Sequence, residues 1–500
     1  METKPDLVPP GKERSAYFYL NNWISLAGVV VAIGAAFAFV LLFAIDTLSK
    51  GANPYVGILT YLASPAFFFL GMGMLFAGWL VHRRQIARSS TGESSLTFSF
   101  DFSQARHRRN FFLFTGGTFV FLMLTAFGSY KTYHFSESVE FCGLVCHSVM
   151  EPEYVTHQLG AHARITCAEC HIGSGATWFV KSKISGLYQV YSTAFDKYSR
   201  PIATPVHNLR PAQETCEQCH WPQKFTGNLD RLYPRYLADD DNTPYHVRLS
   251  LKVGGGDPRR GPVGGIHWHM TVANKVEYIA TDPQRQEIPW VRVTSQAGEV
   301  TEYRVSGFTD DPSHHVIRTM DCVDCHNRPA HVYLSPNEAV DRALYIGRLD
   351  RSLEGLKRTA VELLTAEYAS REEALAAIAA GVADVWPDDA RITATTAEIQ
   401  QIYSDNFFPG MKVTWEAYPN NLSHKDWPGC FRCHSDEHVS TDGRQISPMS
   451  DCNACHTILA QGSTAAELRV LHPDGDEFRH PAGDVGGFLC SDCHFGGLLD

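Results

Sequence analysis

Fourteen cysteines fall in seven pairs, and each pair is followed at once by a histidine. Six copies read Cys-x-x-Cys-His: Cys167–His171, Cys216–His220, Cys322–His326, Cys430–His434, Cys452–His456 and Cys490–His494. The seventh, Cys142-Gly-Leu-Val-Cys146-His147, has one extra residue between its cysteines. The spacing has a chemical reason: two thiols must reach two vinyl groups on one edge of a haem, while the next imidazole reaches the iron from the same short turn. Structural zinc wants four ligands drawn from two such clusters, and an odd number of triplets does not divide into twos. A disulfide scaffold has no use for the regular histidine. The motifs therefore predict seven covalently bound haem c groups. Their thioethers run through Cys142, Cys146, Cys167, Cys170, Cys216, Cys219, Cys322, Cys325, Cys430, Cys433, Cys452, Cys455, Cys490 and Cys493.

Axial ligands follow from the same motifs. His171, His220, His326, His434, His456 and His494 are the expected first ligands. At the first motif the longer reach leaves two readings open, His147 or Met150, and a Met ligand raises a haem's potential relative to two histidines. The remaining histidines outnumber the sixth ligands needed. Proximity to a motif ranks His157, His162, His207, His331, His424 and His438 first; His267 and His269 join them on one face of an expected strand. His246, His314, His315, His472 and His480 come next, and His134 last. For each one, a surface or core histidine is the competing reading.

Three apolar runs precede these motifs: Trp23–Ile45, Tyr55–Val81 and Phe111–Tyr130. Each approaches or exceeds the roughly 20 residues that cross about 30 Å of hydrocarbon. Pro65 within the second predicts a kink. The tail carries Lys4, Lys12 and Arg14, and the loop after the second run carries Arg83, Arg84, Arg88, Arg106, Arg108 and Arg109, against Lys50 alone between the first two runs. This asymmetry predicts a cytoplasmic N-terminus and a haem region in the bacterial periplasm. A cleaved signal peptide is not expected, because the polar lead is long and no small-residue cleavage site follows the first run. No histidine lies in any run, so no transmembrane b haem is expected. A net charge of −11 with 19% charged residues fits neither a nucleic-acid binder nor a disordered chain.

The expected fold class is three N-terminal transmembrane helices followed by a loop-rich, mainly α or irregular multihaem region, with a strand-rich insert and a helical spacer. The expected division is a cytoplasmic tail (1–22), the membrane helices (23–130, with an Arg-rich loop at 82–110), a region with haems 1–3 (131–225), the insert (226–320), haem 4 (321–345), the spacer (346–420) and a three-haem cluster (421–500). Strands are expected at Val247–Val253, Lys275–Ala280, Trp290–Thr294 and Thr301–Val305. Capping boxes at Ser335–Glu338, Ser370–Glu373 and Thr395–Glu398 are expected to open helices, and Trp386-Pro387 to end the second.

The stretch Phe141–Gly173, with Cys142-Gly-Leu-Val-Cys146-His147, Met150 and the following His162–His171, resembles the NapC/NirT/NrfH family of membrane-anchored cytochromes c. The combination of several spans, seven motifs and an insert is similar to the seven-haem inner-membrane cytochromes of metal-reducing bacteria. The resemblance implies oxidation of menaquinol at the outer face of the cytoplasmic membrane, with electrons passed to periplasmic multihaem cytochromes for anaerobic or extracellular metal-oxide respiration. It also implies a quinol site on the segment Thr177–Gly186, with Lys183 and, less directly, Lys181. The family commonly has an acid six or seven positions beyond this lysine; here those positions are Gln189 and Val190. A Gln hydrogen-bonds a hydroxyl but takes no proton near neutral pH, which leaves Glu151, Glu153, Asp196, a propionate or water as acceptor. The bland reading of both lysines is contact with anionic lipid headgroups. Other functions stay open: a terminal reductase of nitrite, hydroxylamine or a sulfur oxyanion, or an anchor fed by another subunit. Homo-oligomerisation is compatible with everything read so far.

Overall fold

A computed structural model describes residues 22–48, 63–88, 103–145, 147–172, 176–206, 210–255, 264–270, 274–446, 451–485 and 488–497 of the chain. It divides into two compact units, 1–135 with 172–186, and 136–171 with 187–500.

The first unit is built on three helices, α1 (Trp23–Leu48), α2 (Ser64–Arg88) and α3 (Ala105–Ser136). At 1.5 Å per residue the shortest is about 37 Å long, enough to cross hydrocarbon. Two windows among the described residues, Trp23–Val40 and Ser64–Arg84, are long and apolar enough to span, and only 22% and 17% of them is buried. Core helices of a soluble protein would be mostly buried, so these outward apolar faces suit lipid. The expected third span lies inside α3; several of its side chains fall outside the described residues, and it is not one of the two windows. The Tyr55–Leu62 part of the second run also lies outside them. Pro65 is the second residue of α2, and 49–62 lie outside the described residues, as does the stretch on which the expected kink would show.

Small residues let α1 and α2 approach closely. A Cβ on Gly28 would stand 2.7 Å from the Gly71 carbonyl, and one on Gly71 would stand 2.6 Å from the Ala32 nitrogen. Such close backbone approach is how helices associate where lipid removes the hydrophobic drive. At one end Asn22 Nδ2 donates to the Gly78 carbonyl at 3.1 Å.

The second unit carries all seven motifs. Its helices are α4 (His147–Leu159), α5 (Cys167–His171), α6 (Ala176–Ala194, shared with the first unit), α7 (Ala212–Cys216), α8 (Cys322–Cys325), α9 (Pro336–Tyr345), α10 (Leu356–Thr365), α11 (Arg371–Val385), α12 (Ile392–Asn406) and α13 (Cys490–Cys493). Two antiparallel sheets come from the insert. One has the order β1 (Leu229–Tyr233), β2 (His246–Leu251), β8 (His456–Gly462). The other runs β6 (Arg318–Thr319), β3 (Lys275–Ile279), β4 (Trp290–Thr294), β5 (Val300–Arg304), β7 (Val439–Ser440). The insert is therefore joined to the motifs around it. β8 begins at motif histidine His456, paired in register with Leu251. β6 leads into Cys322, and β7 follows His434.

The apolar core sits in the helical spacer, where Val340, Leu349, Leu356, Val361, Ile378, Val382 and Ile399 are buried together. Ser335 and Ser370 cap α9 and α11 by accepting from the Glu338 and Glu373 amides. The third capping box does not form: α12 begins at Ile392 after Arg391, which leaves Thr395 inside the helix and buried. Trp386 closes α11.

Candidate haem sites

A helical turn explains why Cys-x-x-Cys-His can work at all. Positions i, i+3 and i+4 share one helical face. The bond that closes the turn, from the histidine amide to the first cysteine carbonyl, measures 2.8 Å at Cys216, Cys322 and Cys490 and 3.1 Å at Cys430. The first motif absorbs its extra residue in a π-helical turn, Phe141–Val145. A π turn closes from i to i+5, which gives positions 142 and 147 the relation that i and i+4 have elsewhere. The side chains of Cys146 and His147 lie outside the described residues.

Each of the six regular motif histidines faces a second imidazole. Ring centroids are 6.5 Å apart for His171 and His331, 6.1 Å for His220 and His162, and 6.2 Å for His326 and His267. They are 5.9 Å apart for His434 and His269, 6.2 Å for His456 and His424, and 5.8 Å for His494 and His480. A metal–imidazole bond of about 2 Å places two axial rings about 6.3 Å apart, centroid to centroid. The pairs fit an iron between them. Four of the partners are also oriented for it: Nδ1 of His162, His267, His269 and His331 bonds to the carbonyls of Pro329, Val253, Ile266 and Glu153 at 2.7–2.9 Å. That bond fixes the ring and turns Nε2 toward the facing histidine, the usual second-shell arrangement of a metal ligand. Burial lowers the imidazoles of His171, His269, His326, His424, His456 and His480, and takes His331 down to about 4. They are held neutral, the form that donates a lone pair to a metal. Among the described residues no group of three or more His, Cys, Asp or Glu is placed to hold a metal ion by itself.

The motifs also neighbour one another in chain order. The Cys142 and Cys167 thiols hydrogen-bond each other, and Cys170 lies within electrostatic reach of Cys216. Cys216 hydrogen-bonds Cys322, and Cys325 neighbours Cys430 and Cys433. Cys430 neighbours Cys455, and Cys452 neighbours Cys490. Arg432 secures the fourth step, with Nη2 donating to the Asp324 carbonyl at 2.9 Å and Nη1 to the Arg285 carbonyl at 2.8 Å.

Residues 104–214 match the model of the NapC/NirT cytochrome c family, N-terminal region. Over 501 residues, 96% of this chain and 96% of the relative, the chain is 40% identical to the cytochrome c-type protein ImcH of Geobacter sulfurreducens. The chain belongs to the NapC/NirT cytochrome c family. It is a membrane-anchored multihaem cytochrome c of electron transport. No solved structure matches it.

In this NapC/NirT cytochrome several of the histidines expected from proximity have other contacts in the structure, and the His157 ring lies 6.2 Å from that of His331. His157 has both ring nitrogens engaged, Nε2 with the Ile165 carbonyl at 3.0 Å and Nδ1 with Gln158 at 3.2 Å. His438 is buried in the second sheet's surroundings with Nε2 on the Ile288 carbonyl at 2.7 Å. His246 accepts from the Arg235 amide and packs edge-on against Tyr236 and Tyr345. His315 pairs with Asp310 at 3.1 Å, and His314 is exposed. His472 bonds through its backbone to Leu459, and His207 lies outside the described residues. His267 and His269 are not on a strand: they occupy a 3₁₀ turn, Ile266–Met270, where positions two apart diverge by about 120°. They therefore face two different motif histidines. His480 ranked low because nothing in its neighbourhood marks it; its pairing is a property of the folded loop.

The residues expected on the quinol side, Lys181, Lys183 and Gln189, lie on α6. Lys181 is exposed with Nζ 4.8 Å from the Trp178 ring. Positions 183 and 189 fall about 120° apart around one helix, so they do not share a stripe. The Lys183 side chain lies outside the described residues. Of the acids considered as proton acceptors, Glu151 pairs with Arg371 at 2.7 Å and Asp196 with Arg200 at 2.5 Å. Glu153 differs: burial pushes its carboxyl up, and its Oε2 is buried without a hydrogen-bond partner.

Proposed function

We propose that this cytochrome oxidises menaquinol at the outer face of the cytoplasmic membrane and passes electrons to periplasmic multihaem cytochromes. The observation that carries the reading is the unbroken succession of seven motifs in chain order, six of them with a second imidazole across the gap. When bound, haem c supplies one-electron redox chemistry. The chain supplies the rest: motif cysteines for attachment, His171, His220, His326, His434, His456 and His494 as first ligands, and His331, His162, His267, His269, His424 and His480, in that order, as second ligands. At the first motif the π turn favours His147 over Met150. Lys183, with Lys181, is assigned to hold the quinol, and Gln189, about 120° from Lys183 around α6, would meet it from a neighbouring face. Protein groups place and orient; the haem carries the electron.

The six ring pairs also weigh against a terminal reductase, which needs an iron open to substrate. The test is to mix oxidised holoprotein in detergent with a reduced menaquinone analogue and follow the haem α-band. Rapid reduction, slowed at least tenfold by Lys183→Ala, is the expected result. Reduction only by dithionite would reject quinol oxidation by this chain alone. Reoxidation of that reduced sample by nitrite or hydroxylamine, with turnover, would mark a reductase.

A further inference from the structure

One short stretch of chain serves three haem sites. His326 is the histidine of the fourth motif and faces His267. The carbonyl of Pro329 accepts from Nδ1 of His162 at 2.9 Å, and the His162 ring faces His220 of the third motif. His331 faces His171 of the second motif, with its own Nδ1 on the Glu153 carbonyl at 2.9 Å. Among the described residues, neither helix nor strand lies between α8, which ends at Cys325, and α9, which begins at Pro336. The stretch therefore owes its place to side chains and not to a backbone ladder.

Those side chains stand at positions 327 and 328. Asn327 Nδ2 donates to the Pro419 carbonyl at 2.7 Å, and its Oδ1 accepts from the Asn421 amide at 3.1 Å. The guanidinium carbon of Arg328 lies 3.7 Å from the centre of the Tyr418 ring and 5.7 Å from that of Tyr333. Its Nη2 donates to Thr204 Oγ1 at 3.4 Å. Tyr418 is a firm seat: it is 4% exposed, packs with Val149, Phe408, Met411 and Val413, and donates its hydroxyl to the Ile202 carbonyl at 3.0 Å. A cation over an aromatic face is drawn by the ring quadrupole, more strongly where water is excluded. Arg328 adjoins Pro329 and precedes His331 by three residues, so both groups hang from this fixed point. We infer that Arg328, seated on Tyr418, is a positioning residue for two haems at once, placing the Pro329 carbonyl that orients His162 and placing His331 itself. The inference rests on haem attachment and on the ring pairs as axial ligands. His326 is spared, because its own amide holds it in the motif turn at 2.8 Å from the Cys322 carbonyl. The Glu153 carbonyl turns the His331 ring but does not fix the backbone that carries it.

Carbon monoxide reports on this seat. Iron held by two imidazoles has no open position, so a reduced haem takes up the gas only as fast as its second imidazole leaves. The test uses purified, dithionite-reduced holoprotein, with haem counted per chain and carbon monoxide binding followed by stopped flow. His331→Ala and His162→Ala first assign the phases that belong to the second and third haems. In Arg328→Met, which loses the charge but keeps a stem, all seven haems stay attached and these two phases quicken about tenfold while the others hold their rates. Arg328→Lys recovers part of the loss, since an ammonium also sits over the ring but without the stacked plane. Tyr418→Leu, which removes the seat, quickens the same two phases. A full haem count in Arg328→Met with both phases at wild-type rates overturns the inference, as does acceleration of one phase alone or of phases throughout the chain. Should Arg328→Met be recovered with fewer haems, Tyr418→Leu decides by the same reading. Wild-type protein that takes up carbon monoxide at once at the second and third haems overturns the ring pairing on which the inference rests.

Discussion

The helical spacer and the C-terminal segment are of similar length and solve folding differently. In α9–α12, apolar residues recur at helical spacing and close on themselves: Leu349, Leu353, Leu356, Val361, Leu364, Ile378 and Ile399 are all at most 2% exposed. Beyond residue 420, only Ile458 and Ala460 are buried apolar residues among those described. Among the described residues that segment has the two-residue β7, the seven-residue β8, brief helical turns and three motifs. A chain with so little apolar surface to remove from water cannot repay its own ordering entropy. The comparison teaches that one half of the second unit is held by side chains packing on side chains, while the other has little apolar core among the described residues and is tied to the insert through β7 and β8.

The largest expected effect would break this comparison outright if it failed. In protein made without haem attachment, hydrogen exchange should be near the unfolded rate across 451–497, while α9–α12 stay protected. Equal protection of both would show that the C-terminal segment has a core of its own. Next is Lys357→Met. Lys357 Nζ lies 2.8 Å from Asp341 Oδ1 with both side chains 2% exposed. Removing one partner of a buried pair costs about 3–5 kcal/mol, read from denaturant unfolding of the helical signal, and Asp341→Leu in the same chain should recover only part of it, because Asp341 also accepts from the Tyr236 amide and pairs with Arg235. A smaller effect is expected from His480→Met, which replaces the imidazole that faces the last motif histidine. One step should become easier to reduce, because Met ligation raises a haem's potential, with the unfolding of the spacer unchanged. The smallest is Ser370→Ala, the cap of α11, at about 1 kcal/mol by the same unfolding measurement.

How far the sequence reached depends on whether a feature is local. The motif turns, the caps at Ser335 and Ser370, and strands β3 and β4 are set by residues within a few positions, and their places could be read directly. Thr395 failed because its capping pattern lies inside a helix that α12 had already begun, and tertiary burial of Thr395 outweighed the local signal. Distal pairing is long-range. His331 is five residues from His326 yet faces His171, while His162, just before the second motif, faces His220 of the third. Nearness in the chain points to His157 as readily as to His162; what separates them is that the His162 ring faces motif histidine His220, while the His157 ring lies 6.2 Å from His331 and bonds a carbonyl and an amide. Nor did composition reveal that the strand insert would pair with β7 and β8 and so bind together the fourth, fifth and sixth motifs.

The 3₁₀ turn Ile266–Met270 has a consequence for how such chains can change over generations. Cys322 and Cys430 stand 108 residues apart, yet the partners of their motif histidines are two residues apart on this one turn. The gap between the two centres is thus set by a two-residue step and not by the chain that joins them. Lengthening or trimming loops of the intervening spacer should leave that gap intact, so insertions can accumulate there while substitutions around Gly265–Met270 cannot.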